Sequence, residues 1–451
     1  MSENTMTLPP ETVPVKIEAD ICVVGGSCTG VFAALRAARL GAKVVLLEKS
    51  NRLGGVATLG LVGMWHSLFD ITHQQQIIGG LTFETLERLE KTGACTTFRE
   101  PTDYYGIRLN SEELTLVLDT MVTSEKNITL YLQTSFSQAV LAGPGKIEAI
   151  VAEDKSGRFA IRASVFIDAS GDGVLARSAG MTMRRVDHPQ PPTSCARFSG
   201  WSFPEGFSLR KCMDKYREEL PDLPCGYYWG MPIPNSQLFM LAGTRVMQCD
   251  CNDPDEITRA EITSRRQIKA ILDMLRREFP DRKFGLETLP SAIGIREGLH
   301  VESIGTLTGE ELLAGRRFPD AIGNGTYPVD IHNDTDATIS FKNLNGTMRV
   351  YRGDQCISTE RWLPEGQVLP YYQIPLSCLI PRGAVNVLVA GRMLDADRDA
   401  FGAVRVMVNL NQCGEAAGVA AWQAMRDGKG VANVDRAETR RLLKTGGAII
   451  L

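Results

Sequence analysis

The stretch ICVVGGSCTGVFAALRAARLGAKVVLLEKSNRLGG, residues 21–55, decides how the rest of the chain is read. It opens with four apolar residues, turns at Gly25–Gly30, continues with a helical pattern, and reaches a second apolar run ending at Glu48. A second glycine pair, Gly54-Gly55, follows. Apolar run, glycine turn, helix and apolar run in this order predict a strand–turn–helix–strand unit.

Such a unit aims the free N–H groups and the positive dipole end of the helix at the turn, where a pyrophosphate sits. Gly25 permits the tight turn, and Gly30 lets helix and strand pack closely. A dinucleotide fingerprint has a third glycine between them, and here that position is Ser27. Serine is small and its hydroxyl can donate to phosphate, so the site reads as retained. Glu48 stands about twenty residues past the turn, where a carboxylate bonds the ribose hydroxyls and repels a 2′-phosphate. The competing reading is a chance glycine turn. With both strands, the helix and the terminal acid in place, it is the weaker one.

At 451 residues the chain is long enough for two or three domains. A net charge of −4, without a basic run or stripe, argues against nucleic acid and anionic membrane surfaces as partners. The polar N-terminus lacks the pattern of a secretory signal, and no apolar run approaches the ~18 residues of a membrane span. Eleven cysteines without any C-x-x-C point to reduced thiols and a cytoplasmic location. His, Cys and carboxylates show no metal-ligand spacing, so no metal is expected.

Along the chain, residues 1–16 read as a disordered arm and residues 54–80 as an irregular, partly buried segment. Helices are predicted over 81–92 and from Ser111, as N-cap, to Ser124. Three β-rich runs, 130–142, 146–154 and 158–168, are separated by glycine turns and read as a meander. Residues 185–252, rich in proline and aromatics, show no clear period. Asp253-Pro254 opens a helix with Ile268, Ile271, Leu272, Leu275 and Phe279 on one face. Strands and loops are expected over 340–352 and 356–370, a short strand over Val385–Gly391, and a long helix from about Asn409 to Met425. Strand–glycine–helix units at both ends suggest one nucleotide-binding domain made from both, with a second domain inserted.

Gly54-Gly55 in EKSNRLGG, soon after Glu48, resembles the glutathione-reductase-type FAD fold. SGDG at 170–173 resembles that fold's second FAD motif, and Gly391-Arg392 closes the C-terminal strand. LGGVATLGLVGMW (53–65), FIDASGDGVLARSAG (166–180), IGIREG (293–298), FPDAIGNGTYPVDIH (318–332) and FGAVRVMVNLNQCGEAAGVAA (401–421) all look like landmarks of the bacterial FAD-dependent oxidoreductases. That family is distantly similar to fumarate reductase and succinate dehydrogenase flavoproteins. The resemblance covers nearly the whole chain. It implies an α/β protein whose Rossmann-type FAD-binding domain is assembled from both chain ends, residues 17–185 and 366–451. Residues 186–365 would form an inserted α+β substrate domain.

The resemblance also implies non-covalent FAD held by Gly25, Ser27, Cys28, Thr29 and Gly30, by Glu48 and Lys49, and by Gly54, Gly55, Ala57 and Thr58. Further along, Ser170, Gly171, Asp172, Gly391, Arg392, Arg405, Val406 and Met407 are expected at the cofactor. The chain departs from the family at Gly298, Leu299 and His300, where paired arginines usually stand. It departs again at Arg398 and Asp399, where a histidine is frequent.

A flavin performs the redox step, so the protein must place the substrate and supply an acid or base. His332 is the favoured acid/base and Arg296 the favoured substrate anchor. A loop histidine and a structural Arg–Glu pair are the respective competing readings. His66 as a covalent flavin attachment is disfavoured by its surroundings, and Tyr371 and Tyr372 read as packing residues. The expected activity is hydride transfer between flavin N5 and a small polar substrate, a hydroxy acid, sugar or related metabolite. An oxygen-using oxidase or monooxygenase and a redox-inert FAD-binding subunit stand beside it. The oligomeric state is open, with a homodimer among the options.

Overall fold

The computed structural model describes residues 6, 7, 9–99 and 105–451. The opening stretch folds as β1 (Val15–Val24), α1 (Cys28–Arg39) and β2 (Val44–Leu47). β1 and β2 are parallel, with Ile21 opposite Val44 and Val24 opposite Leu47. All of β2 and the second half of β1, from Ile21 on, are buried, as befits strands covered on both faces. β1 starts inside the segment expected to be an arm. Residues 6, 7 and 9–14 carry no regular structure, and residues 1–5 and 8 lie outside the described residues.

The expected helices form as α2 (Gly80–Glu90) and α3 (Ser111–Thr123). The N-cap of α3 is Asn110 rather than Ser111. Its side chain accepts from the N–H groups of Glu112 and Glu113 at 3.1 and 3.5 Å, and Asn is as good a cap as Ser. The first β-rich run splits in two. Its start belongs to β3 (Ile128–Tyr131), which pairs parallel with β2, and Gln133, at φ 51°, turns the chain before the next strand. The meander itself is β4 (Ser135–Gly143), β5 (Lys146–Asp154) and β6 (Gly157–Asp168). β6 returns to pair parallel with β1, which gives the order β3-β2-β1-β6-β5-β4.

The stretch without a readable period holds three short strands, β7 (Ala196–Ser199), β8 (Trp229–Pro232) and β9 (Phe239–Ala242). They form an antiparallel sheet with β10 (Gly285–Thr288), beyond helix α4 (Pro254–Glu278). Asp253 caps α4, and Ile268, Ile271, Leu272 and Leu275 pack with Ala196, Phe198 and Leu241 in a separate apolar core. Phe279 is the C-cap of α4 and packs against that core from its edge.

Next comes an antiparallel sheet of β11 (Val329–His332), β12 (Thr338–Lys342), β13 (Thr347–Arg352) and β14 (Gln355–Arg361), in sequential order. β15 (Val387–Val389) then joins the central sheet, parallel to β6, with Val389 opposite Asp168. Helices α5 (Arg398–Val404) and α6 (Met407–Asp427) follow. α6 lies against α1 at Gly414 and Gly418. A Cβ at these positions would sit 2.1 Å from Thr29 O and 2.3 Å from Ala33 O, so the two backbones touch. The core around the central sheet also takes in Val301, Leu307, Ile322, Val329 and Ile331.

Candidate active site

The glycine turn needs glycine where the backbone demands it and tolerates serine where it does not. Gly25 has φ +109°, and a Cβ there would lie 2.4 Å from Ala169 O. Ser27 has φ −61°, an ordinary conformation for any residue. It is the N-cap of α1, its hydroxyl accepting from Gly30 N at 3.4 Å. Gly30 is fixed by contact, since a Cβ would meet Gly25 O at 1.9 Å. Glu48, buried, closes the turn from the other side. Its Oε2 accepts from Gly26 N at 2.7 Å and its Oε1 from Ser50 N at 2.8 Å. Gly54 N donates to Gly26 O at 2.8 Å, so the second glycine pair folds back onto the turn. The Cys28 thiol faces Gly54 O at 3.6 Å, and burial pushes its pKa up to about 12.

At the C-terminal end of β6, buried Asp168 fixes the SGDG turn. It accepts from Ser170 N and Oγ, at 3.0 and 2.6 Å, and from Leu175 N and Ala176 N, both at 2.9 Å. Arg392, just past β15, pairs with Asp172, and a Cβ on Gly171 would strike its guanidinium. The parallel pairing of β6 and β15 thus brings the second and third motifs together.

All of these border one cavity of about 1120 Å³. Gly25, Ser27, Cys28, Thr29, Glu48, Lys49, Gly54 and Gly55 line it, as do Ser170, Gly171, Asp172, Gly391 and Arg392. Arg405, Val406 and Met407 line it from the start of α6, and Arg296 and His332 line it as well. Gly30, Ala57 and Thr58 stand outside its wall. Ala57 and Thr58 are fully buried, and the Thr58 hydroxyl donates to Leu53 O at 2.6 Å. The volume exceeds the roughly 300–1,000 Å³ of a small-molecule cleft, which leaves room for a dinucleotide and a substrate together. α6 starts at this wall, and no side chain caps it at Val406. Its first N–H groups and its dipole therefore serve the cavity. The glycine turn, the buried carboxylate and the uncapped helix start fit FAD, which Gly25–Gly30, Glu48 and Val406–Met407 would hold.

Beside the cavity lies a buried polar cluster. Asp330 and His332, two apart on β11, share a face of the strand. Arg405 Nη2 donates to Asp330 Oδ2 at 2.8 Å and to Gln190 Oε1 at 3.2 Å. The Tyr327 hydroxyl donates to the same Asp330 oxygen at 2.7 Å, and His332 Nε2 lies 3.3 Å from Oδ1. Burial alone would raise the Asp330 carboxyl, but His332 and Arg405 outweigh it and hold the pKa well below the usual carboxylate range. Burial, reinforced by Arg296, holds His332 well below the ordinary histidine value. His66, its ring 4.0 Å from that of Tyr327, is pushed down to about 3, mainly by burial. Arg296 Nη1 donates to Pro191 O at 2.5 Å and Thr193 Oγ1 at 2.6 Å. Arg245 Nη1 donates to the same Thr193 oxygen at 2.7 Å.

Tyr372 is buried and donates to Ala403 O at 3.0 Å, a packing role. His300 bonds Leu394 O at 2.9 Å and faces Glu297 Oε1 at 3.4 Å. The sequence reading misses Gln190, Thr193, Arg245 and Tyr327. The first three lie in the stretch without a period, where only the Pro191-Pro192 pair hints at a rigid strut.

Among solved structures, a geranylgeranyl bacteriochlorophyll reductase-like protein from Thermoplasma acidophilum is 13% identical, with a TM-score of 0.49. The match spans 95% of this chain and 84% of that one. A p-nitrophenol 4-monooxygenase from Pseudomonas putida is 12% identical, with a TM-score of 0.46, over 96% of this chain and 89% of that one. Comparison with curated proteins returns no match. No helix among the described residues is long and apolar enough to cross a membrane. The family model of FAD-dependent oxidoreductases matches residues 20–443, and the chain belongs to that family.

Proposed function

We propose that the enzyme oxidises a small polar substrate, a hydroxy acid, sugar or related metabolite, with bound FAD supplying N5 as the hydride acceptor. The observation that carries this reading is the meeting of His332, Asp330, Arg405 and Arg296 on the cavity that the glycine turn also borders. Ionised Asp330 faces Nε2 of His332, which assigns the ring proton to Nε2 and leaves Nδ1 as the acceptor for a substrate hydroxyl proton. Burial disfavours the charged ring, so His332 stands in the neutral form, the form that can accept a proton. Arg296, fixed through one nitrogen to Pro191 and Thr193, orients the substrate.

The parallel pairing of β1, β2, β6 and β15 supports a Rossmann-type FAD domain built from residues 17–185 and 366–451, with 186–365 as the substrate domain. We place the enzyme in a bacterial cytoplasm.

The test is the visible spectrum of the purified protein, before and after anaerobic addition of hydroxy acids and sugars. A flavin spectrum bleached by one of them supports the reading. Rapid return of the colour in air, with peroxide formed, would move it to an oxidase. A flavin that no metabolite reduces would move it to a redox-inert subunit. Unchanged turnover in His332→Gln would overturn the acid/base role.

A further inference from the structure

Arg245 and Arg296 converge on one hydroxyl oxygen, Thr193 Oγ1, and among the described residues neither has a carboxylate within ion-pairing distance. Arg245 is buried, and burial lowers its pKa to about 10. The Thr193 hydroxyl donates to Thr244 O, so it can only accept from the two guanidinium groups. The nearby carboxylates are spoken for. Asp330 belongs to Arg405 and Tyr327, while Glu297 accepts from Gln190 N and faces His300. Buried cations are ordinarily paired, so two guanidinium groups without a carboxylate, Arg296 on the wall of the large cavity and Arg245 on the small recess beside it, mark the place of an anion. The pyrophosphate of FAD is accounted for at the Gly25–Gly30 turn.

Next to this cationic pair stands an aromatic cluster. Tyr227, Arg245 and His332 line one small recess. Tyr227, Phe341 and Tyr351 meet edge to face, each pair of ring centroids 6.0 Å apart, and all three border the large cavity without being fully buried. Arg349 and Asp354 border the cavity too, and Arg349 lies opposite Phe341 in the sheet. A carboxylate at the arginines places the body of its molecule against rings and polar side chains. That combination suits a ring with hydroxyl groups.

Resting on the proposed function, we infer that the substrate is a hydroxylated ring carboxylate such as a sugar acid. Arg296, with Arg245 behind it, holds the carboxylate, and Tyr227, Phe341 and Tyr351 hold the ring.

The FAD-loaded protein is titrated anaerobically with D-glucuronate, D-galacturonate and quinate, and with glucose, galactose and inositol as neutral counterparts. Binding is read from flavin difference spectra and by calorimetry. At least one acid is expected to bind at least about tenfold more tightly than its neutral partner. Arg296→Gln is expected to weaken it about a hundredfold, with FAD affinity unchanged, and Arg296→Lys to be intermediate. Tyr351→Leu is expected to weaken the ring acid about tenfold and to leave lactate binding unchanged. Equal binding of acids and neutral partners, or acid binding insensitive to Arg296→Gln, would overturn the inference. Binding of mandelate in place of the hydroxylated acids would overturn the ring assignment. If Arg296→Gln shifts only the flavin midpoint potential, the missing anion is the reduced flavin and the inference fails. A protein that takes up no FAD sinks the proposed function, while calorimetry with the acids still decides this one.

Discussion

Arg405 reaches Asp330 at 2.8 Å from just ahead of α6, tying the start of that helix to β11. Both side chains are largely buried, at 12% and 4% exposure, so neither charge has water to fall back on. Asp330→Ala would add a third unpaired guanidinium to the two already present. The expected loss is about 3–5 kcal/mol in urea unfolding of the FAD-free protein, with Asp330→Asn losing less because it still accepts from Tyr327.

Acid should destabilise the fold through its buried histidines. His66 and His332 have folded pKa values below the roughly 6.5 of an unfolded histidine, so the unfolded chain binds more protons. Their contribution is complete above that value and is lost as pH falls through it toward the folded values. Urea midpoints at pH 7, 6 and 5 should fall steadily. His332→Gln should flatten the decline, and an unchanged slope would contradict a neutral buried ring.

Gly414 has no room for a methyl group, because its Cβ would sit 2.1 Å from the backbone oxygen of Thr29. Gly414→Ala must separate α6 from α1, at a cost of about 1–3 kcal/mol. Thr29 belongs to the glycine turn that would hold the pyrophosphate, so FAD affinity, followed by fluorescence titration, should fall with stability. Gly41→Ala, where the added carbon meets nothing within 4 Å but φ is +100°, separates backbone strain from helix contact.

Ser27→Ala removes the cap of α1 and should cost about 1 kcal/mol, whereas Ser27→Gly should cost only a few tenths. Both variants should retain FAD. A glycine that raised FAD affinity several-fold would mean that the hydroxymethyl group crowds the phosphate.

Cys225 and Cys356 are the exposed thiols, and the other nine cysteines are buried. Brief iodoacetamide treatment of the native protein should add two adducts by mass spectrometry. Modification of Cys28 without unfolding would contradict its burial.

Local patterns were readable where the chain makes local structure. The period of residues 21–48, the Asp253-Pro254 cap and the glycine turns of the meander each report on neighbours a few residues away, and each element forms near its expected bounds. The split of 130–142 between a parallel strand and the meander was not readable, because pairing with β2 is decided by partners more than eighty residues back in the chain. The same limit applies to the polar cluster. His332 and Arg296 stood out by residue type and landmark. Gln190, Thr193 and Arg245 sit among prolines and aromatics and acquire meaning only when β7 and β9 bring Thr193 and Arg245 together.

The pairing of β15 with β6 also bears on synthesis. The last motifs at the cavity, Gly391-Arg392 and Arg405–Met407, leave the ribosome after the glycine turn has had more than three hundred residues of elongation in which to fold. Until then the end of β6 has an open hydrogen-bonding edge, Asp172 lacks Arg392, and the long helix is missing from α1. A truncated product therefore carries the glycine turn without the floor of its cavity.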